Sequence, residues 1–410
     1  MHIAYIHQHF ATPAQSEGTR SYEFARALIA AGHRVTMVTG RYKVAPQDMR
    51  SLGPVSQVDV DGIDVRYVNV FYNNAMGPIR RWMAFKQFVK IAKRVTVAAR
   101  PDIVFATSTP LTVAEVGRYA GRKLAVPFVF EVRDIWPKLL IEMGVLTNPL
   151  AQWLMRRMEL AAYRAAAHIV ILAPGMEKHI CATGVPEDRI TFIPNSCDLE
   201  MFRPDAPPSA QFDYAAGSEF KLAFTGAHGR ANGLDAVLDA AAELKRRGAG
   251  GIQFLFIGDG GRKPALMARA EREQLGGLAR FVPNMPKTEL AKVLPHVNAG
   301  MQILANVPGF YDGTSPNKFF DYIASGLPVL TNYPGWLAEQ IRQNKCGLPV
   351  PPDDPKAFAD AVLYLRDHPA ECRQMGVNGR ALAEREFSRT VMSDRFVHLL
   401  EGVAAAWAPR

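Results

Sequence analysis

The feature that most narrows the fold is a pattern repeated on both sides of one break: short apolar runs alternate with stretches of helical periodicity. Ile3–Ile6 is followed by a polar loop from Gln8 to Gly18. A helical pattern comes next, with Tyr22, Ala25, Leu28 and Ile29 at 3–4 spacing and Gly32 closing it at a C-cap position. Val35–Val38, Ile103–Phe105, Phe128–Phe130 and Ile169–Leu172 then read as strands, with helices near 111–124 and 149–166. The stretch 204–219, rich in Pro, Ala and Ser, interrupts the series. Beyond it the alternation restarts: Leu222–Phe224, a helix over 233–247, Phe254–Ile257, a helix near 263–274, Arg280–Val282, Gly300–Ile303, a helix from Pro316, and Val329–Leu330. Such alternation predicts an α/β protein of two tandem parallel sheets covered by helices. One exception is Gln57–Val60 and Ile63–Val68 around Asp61-Gly62, which reads as a hairpin. The last stretch reads as helical, with Asp354 capping and Pro355 at the first helical position.

Composition agrees with a globular protein. The chain has 410 residues, with 48% hydrophobic and 21% charged, more than one domain of the typical ~150 residues requires. No run approaches the ~18 apolar residues of a membrane-spanning helix. The first residues lack the basic and apolar regions of a secretory signal, so none is expected. Cys181, Cys197, Cys346 and Cys372 form no C-x-x-C pair and suit a reducing cytosol. The net charge of +9 is unevenly spread: residues 1–203 hold 25 Lys and Arg against 17 Asp and Glu. Within 65–101 there are eight basic residues and no acidic one. That asymmetry predicts a surface facing something anionic.

Open α/β sheets bind ligands at the carboxyl ends of their strands, so two such sheets predict two substrates. The most informative stretch is Thr314-Ser-Pro-Asn-Lys-Phe-Phe-Asp-Tyr-Ile-Ala-Ser-Gly-Leu-Pro-Val-Leu330. Ser315 before Pro316 reads as N-cap and N1 of a helix whose free N–H groups suit a phosphate. Thr314, Ser315, Pro316 and Asn317 form its entry. Lys318 stands in the first turn, where the dipole disfavours a cation unless an anion is near. Asp321 lies one turn on, placed to accept from a ribose diol.

Further motifs give this stretch a context. Pro194-Asn-Ser-Cys-Asp198 with Phe202-Arg-Pro204, the turn Phe256-Ile-Gly-Asp-Gly260, the Gly18-Thr19 loop and Gly32-His33-Arg-Val35 recur in order with it. Together they resemble family-4 glycosyltransferases. The resemblance implies a GT-B fold: two Rossmann-like domains facing across a cleft, with a C-terminal helix that crosses back. It implies an N-terminal acceptor-binding domain over 1–203, a nucleotide-sugar domain over 204–387, and a helix over 388–410 packing on the first domain. Glu131-Val-Arg-Asp-Ile-Trp-Pro137 and Gly313–Lys318 look most like the bacterial branch of N-acetyl-L-fucosamine transferases in surface-polysaccharide pathways. The expected donor is therefore a UDP-sugar, the expected acceptor a lipid-linked diphosphate saccharide, and the expected place the cytoplasmic face of the plasma membrane.

Departures from the family pattern refine the expectation. Of the family's pair of Glu, the second position is Asp321 and the first is Gly313, with Asp312 adjacent. The family's Arg and Lys for the pyrophosphate fall near Ala227 and Asn232 in Gly226-Ala-His-Gly-Arg-Ala-Asn-Gly233, so Arg230 and Lys318 are the substitute cations, with Gly226 lining the loop. Gly18 and Thr19 complete the donor set. Arg133-Asp134 replaces a His that contacts the donor's 6-hydroxyl in many relatives, which fits a 6-deoxy sugar. The resemblance implies retention of configuration. Asp134 is the candidate to orient or deprotonate the acceptor, with Arg133 beside it.

No metal or other cofactor is expected. The Asp59-Val-Asp61 pair falls on the hairpin turn and reads as surface. His7 and His9 flank the first loop, also read as surface.

Residues 79–95 combine Trp82, Phe85, Val89 and Ala92 at helical spacing with Arg80, Arg81, Lys86, Lys90, Lys93 and Arg94. Such interleaving suits an anionic leaflet or the acceptor's diphosphate. Two other classes remain open at this stage. A non-hydrolysing UDP-sugar epimerase shares the fold and would need no acceptor. A basic nucleic-acid-binding protein would show salt-dependent DNA binding, although no motif favours it and nucleic acid is not an expected partner.

Overall fold

The computed structural model describes residues 1–13, 18–41, 52–72, 76–213 and 220–408, the side chains of Pro78 and Asp312 aside. The chain divides into two compact units. Of the described residues, one unit holds those within 1–194 and 392–408 and the other those within 195–391.

In the first unit the strands are β1 (His2–Ile6), β2 (Arg34–Gly40), β3 (Val55–Val60), β4 (Ile63–Val68), β5 (Ile103–Thr107), β6 (Phe128–Val132), β7 (His168–Ile171) and β8 (Ile190–Phe192). Among the described residues they form one sheet in the order β3-β4-β2-β1-β5-β6-β7-β8. Its pairings are parallel except β3 with β4. The predicted hairpin is this pair, and its turn places Asp61 and Gly62 at φ of 52° and 84°, the left-handed geometry of an Asp-Gly turn. The short β8 carries no apolar run and escapes prediction.

The helices of this unit are α1 (Arg20–Ala30), α2 (Pro78–Ala99), α3 (Val113–Leu124), α4 (Lys138–Glu142), α5 (Pro149–Ala165) and α6 (Gly175–Cys181). Gly32, at φ 82°, follows α1 as expected of a residue just past a helix end. β1, β5 and β6 are buried along their whole length, as central parallel strands must be.

The second unit repeats the plan with β9 (Phe220–Thr225), β10 (Ile252–Ile257), β11 (Ala279–Val282), β12 (Ala299–Gln302), β13 (Val329–Thr331) and β14 (Gly347–Pro349). Their order is β11-β10-β9-β12-β13-β14, all parallel. Around them lie α7 (Asp235–Arg246), α8 (Lys263–Arg272), α9 (Lys287–Val293), α10 (Pro308–Gly313), α11 (Asn317–Ala324), α12 (Trp336–Gln343), α13 (Pro355–Asp367) and α14 (Pro369–Glu386). Asp354 caps α13, accepting from the amides of Lys356 and Ala357. Of the predicted break at 204–219, residues 214–219 lie outside the described residues. The remainder packs down, with Phe212 buried under the Arg280 guanidinium.

The last helix, α15 (Arg389–Ala405), returns to the first unit. Phe396 stacks on Phe24 at 4.2 Å and meets Phe105 edge-on at 4.8 Å. His33 bonds Glu401 at 3.0 Å, fixing the same helix from the α1–β2 turn.

Candidate active site

In the second unit, two turns at the carboxyl ends of β9 and β10 are zipped together by backbone bonds. Gly226 N donates to Ile257 O, His228 N to Asp259 O, and Arg262 N to His228 O. This explains the glycines of Gly258-Asp-Gly260. A Cβ on Gly258 would lie 2.0 Å from the Gly226 carbonyl oxygen, and one on Gly260 would lie 2.6 Å from that of His228. His228 is fully buried among the rings of Phe224, Phe256 and Phe281. Burial, with Lys263 nearby, pulls its pKa down to about 4, so the imidazole is neutral.

The start of α11 faces this loop. Lys318 Nζ donates to Asn232 Oδ1 at 2.9 Å and sits 4.2 Å from the centre of the Phe224 ring. Desolvation lowers its pKa to about 7, against the opposing pull of Asp321. Asn232 therefore serves as the partner that positions the cation, a role the sequence did not reveal. The Cε of Lys318 is 3.7 Å from where a Cβ on Gly226 would stand. Arg230 is exposed on the same loop, heading a single 3-10 turn over Arg230–Asn232.

The expected Ser315 cap is corrected. The helix begins at Asn317, with Pro316 at the N-cap position. Ser315 Oγ instead accepts from the Asn195 amide at 3.0 Å, and the Asn195 side chain donates to the Ser315 carbonyl. The Pro194–Asp198 motif is thus the brace of this turn. Thr314 is held by its hydroxyl on Phe310 O and by Trp336 Nε1 on its carbonyl. Among the described residues, the amides of Ser315, Asn317 and Lys318 find no backbone acceptor in the surrounding turns, as the first N–H groups of a helix lack one.

Asp321 is also placed differently from the simple expectation. The residue is 5% exposed, and its carboxylate accepts from Lys287 Nζ at 3.3 Å. Burial pushes its pKa up, and Lys287 opposes the shift. Lys318 and Asp321, one turn apart, do not pair with each other; each has taken another partner. Gly313 is buried and ends α10.

In the first unit, Arg133 and Asp134 follow β6 directly. Dehydration raises the Asp134 pKa while the Arg133 charge lowers it. The Arg133 amide donates to Ser108 Oγ at 2.9 Å. His7 is buried, contrary to the surface reading, and its Nδ1 meets Ser21 Oγ at 2.8 Å. Burial and the neighbouring Arg133 hold His7 well below its usual pKa and bring His9 down to about 4.

Gly18 and Thr19 precede α1, and Thr19 O accepts from the Glu23 amide. Next to them is a buried network that sequence reading missed. Arg20 Nη2 pairs with Glu131 Oε1 at 2.8 Å and with Ile193 O at 2.7 Å, and Nη1 donates to Pro194 O. Thr107 Oγ1 donates to the second Glu131 oxygen. A Glu inside an apolar strand is costly without a cation, and that was the available signal.

The basic helix is real but turned from its expected face. Ala84, Phe88, Val89 and Ala92 are buried, while Trp82 is 60% exposed. Of the stripe expected to meet a leaflet, Trp82 faces outward and Phe85 is half-buried, whereas Val89 and Ala92 are buried in the protein, which corrects that end of the stripe. Arg80, Lys86 and Lys90 are exposed, Arg81 and Phe85 half-buried. Lys86 and Lys93 both reach Glu115.

Asp59 and Asp61 lie at the hairpin turn, where Asp59 accepts from Gly62 N and Asp61 from Tyr22 OH. Among the described residues, no group of three or more His, Cys, Asp or Glu is placed to hold a metal ion.

Comparison with known proteins defines the class. Residues 17–196 match the glycosyl transferase 4-like domain, and residues 219–368 match glycosyl transferases group 1. Each half of the chain is thus similar to a glycosyltransferase domain, the first to the 4-like and the second to the group 1 type. Among particular relatives, it is 26% identical to the probable glycosyltransferase WbjE of Pseudomonas aeruginosa, over 76% of this chain and 77% of that one. Its fold matches sucrose-phosphate synthase from Thermosynechococcus elongatus with a TM-score of 0.77 at 20% identity, over 99% of this chain and 100% of the other. It also matches Anabaena Alr3699/HepE in complex with UDP-glucose, with a TM-score of 0.70 at 15% identity, over 98% and 100%. The expected GT-B fold is the fold observed. No helix among the described residues is long and apolar enough to cross a membrane.

Proposed function

We propose that this glycosyltransferase moves a sugar from a UDP-sugar to a lipid-linked diphosphate saccharide, with retention of configuration, in surface-polysaccharide synthesis. The observation that carries the donor half is the cluster at the start of α11: free amides at Ser315, Asn317 and Lys318, with a cation held by Asn232. Cleavage of the sugar–phosphate bond collects negative charge on the leaving diphosphate. Donors fixed in advance stabilise that charge without reorganising. The helix start, Lys318 and Arg230 supply them, so the mechanism calls on no metal. Gly226 and Thr314–Pro316 shape the wall, and the Asp321 oxygen not bound to Lys287 takes the ribose hydroxyls. A solved structure of the same fold, Alr3699/HepE, is a complex with UDP-glucose, which supports a UDP donor.

In the first unit, the raised pKa of Asp134 suits a group that orients or deprotonates the acceptor hydroxyl, with Arg133 as its electrostatic partner. The branch resemblance at Glu131–Pro137 and Gly313–Lys318 supports an N-acetylated 6-deoxyaminosugar donor and a surface-polysaccharide role. The basic, outward-facing start of α2, with Arg80, Arg81, Trp82, Phe85, Lys86 and Lys90, supports an acceptor presented at the inner face of the plasma membrane.

The test is mass spectrometry of a lipid-linked acceptor incubated with a panel of UDP-sugars. A glycosylated lipid is expected with a UDP-N-acetyl-6-deoxyhexosamine. Ready turnover of UDP-glucose with none of the deoxy sugars overturns the donor assignment, and interconversion of free UDP-sugars without acceptor overturns the transferase reading.

A further inference from the structure

The first two turns of α2 and of α5 carry the same sequence device. In α2 it is Pro78, Ile79, Trp82, Met83 and Lys86; in α5 it is Pro149, Leu150, Trp153, Leu154 and Arg157, at identical spacing. The structure turns both sets outward. Ile79, Trp82 and Met83 are 73%, 60% and 51% exposed, and Leu150, Trp153 and Leu154 are 64%, 52% and 49%. Each indole is also met by the cation four residues on, Lys86 near Trp82 at 5.8 Å and Arg157 over Trp153 at 4.9 Å. Residues at i, i+3, i+4 and i+7 share one helix face, so each set is a compact apolar foot with a basic edge.

The two feet belong to one layer. α3 packs between α2 and α5. All three helices follow parallel strands, so they begin at the same, carboxyl edge of the sheet. This layer is strongly basic: α2, α3 and α5 together hold twelve Lys and Arg against two Glu. Both acids are already engaged, Glu115 by Lys86 and Lys93, and buried Glu159 by Tyr163 and His179. Between α2 and α3 runs a groove of about 360 Å³ lined by Lys86, Val89, Lys90, Lys93, Arg94 and Tyr119, with Glu115 also in its wall, held by Lys86 and Lys93.

We propose that the α2–α3–α5 layer is a two-footed platform for an anionic bilayer. Trp82 and Trp153, each with its flanking aliphatics, enter the interfacial zone, and the groove between α2 and α3 seats a lipid phosphate. Charge decides the occupant. Twelve cations with no unengaged acid fit a continuous sheet of phosphates, and indole beside a cation fits the headgroup level, where an apolar ring and a charge are satisfied at once. This deepens the reading of a membrane-presented acceptor and rests on it. The new element is the foot on α5, which makes the contact a plane rather than a single helix.

The experiment is flotation of the full chain with vesicles of phosphatidylglycerol and phosphatidylcholine, compared with phosphatidylcholine alone. The wild type is expected to float with the anionic vesicles, less so at high salt, and not with the neutral ones. The exposed double variant Leu150→Ser, Trp153→Ser is expected to lose at least about tenfold in vesicle affinity. Its binding of UDP, read by calorimetry, is expected to match the wild type. Unchanged flotation of the variant overturns the second foot. Equal binding to neutral vesicles, or none to anionic ones, overturns the bilayer as occupant. A wild-type dimer that the variant abolishes, seen by sedimentation equilibrium, assigns the face to a second copy and also overturns it. Loss of UDP binding by the wild type instead removes the donor-site reading and leaves the flotation result standing.

Discussion

Lys318 holds its charge on narrow terms. With a pKa near 7, the unliganded side chain is largely neutral above that pH, so a bound diphosphate must draw a proton onto it. The affinity for UDP should therefore fall as pH rises from 7 toward 9, by up to ~tenfold per pH unit, a window that avoids phosphate titration near 6. Calorimetry at pH 8 in buffers of different ionisation enthalpy should report proton uptake, and Lys318→Met should remove both the uptake and the slope. Glu131 makes a second prediction at this scale. Glu131→Gln leaves the buried Arg20 with carbonyl partners only and should cost about 3 kcal/mol in urea unfolding, the low end for one lost partner of a buried pair. Lys318 was legible because a cation in a helix's first turn contradicts the dipole. Asn232 was not, because a neutral amide on a loop carries no such contradiction.

At the scale of elements, the sequence announced strands through apolar runs and helices through spacing, and the announced ones form. What it hid follows from the same physics. β8 is half-exposed throughout and offers no apolar run. The stripe of α2 was misread at Val89 and Ala92, because they keep the spacing of Trp82 and spacing alone does not reveal where along a helix the sheet covers it. Smaller Ala84, with Phe88 and Ala92, makes the actual seam. The Ser315 cap failed for a tertiary reason: Asn195, far away in sequence, claims the hydroxyl. Helix-to-sheet packing gives the test here. A Cβ on Gly117 in α3 would lie 2.2 Å from the Phe128 ring of β6, which is itself buried. Gly117→Ala should cost about 1–3 kcal/mol through overpacking, seen as a lower thermal midpoint with UDP affinity retained.

Across the whole molecule, two parallel sheets with helices between their strands could be read from the chain alone, since each buried central strand writes its own signal. The return of the last helix was legible only through the family resemblance. α15 has no clean apolar stripe, and only its placement shows Phe396 completing a ring cluster with Tyr5, Phe24 and Phe105. Ending the chain at residue 391 should expose those rings, and dye binding to apolar surface should rise while a folded signal from the second unit persists. There is a temporal consequence for biosynthesis. The unit made earlier lacks its keystone until α15 leaves the ribosome, so it must wait, partly open, while the second unit is translated.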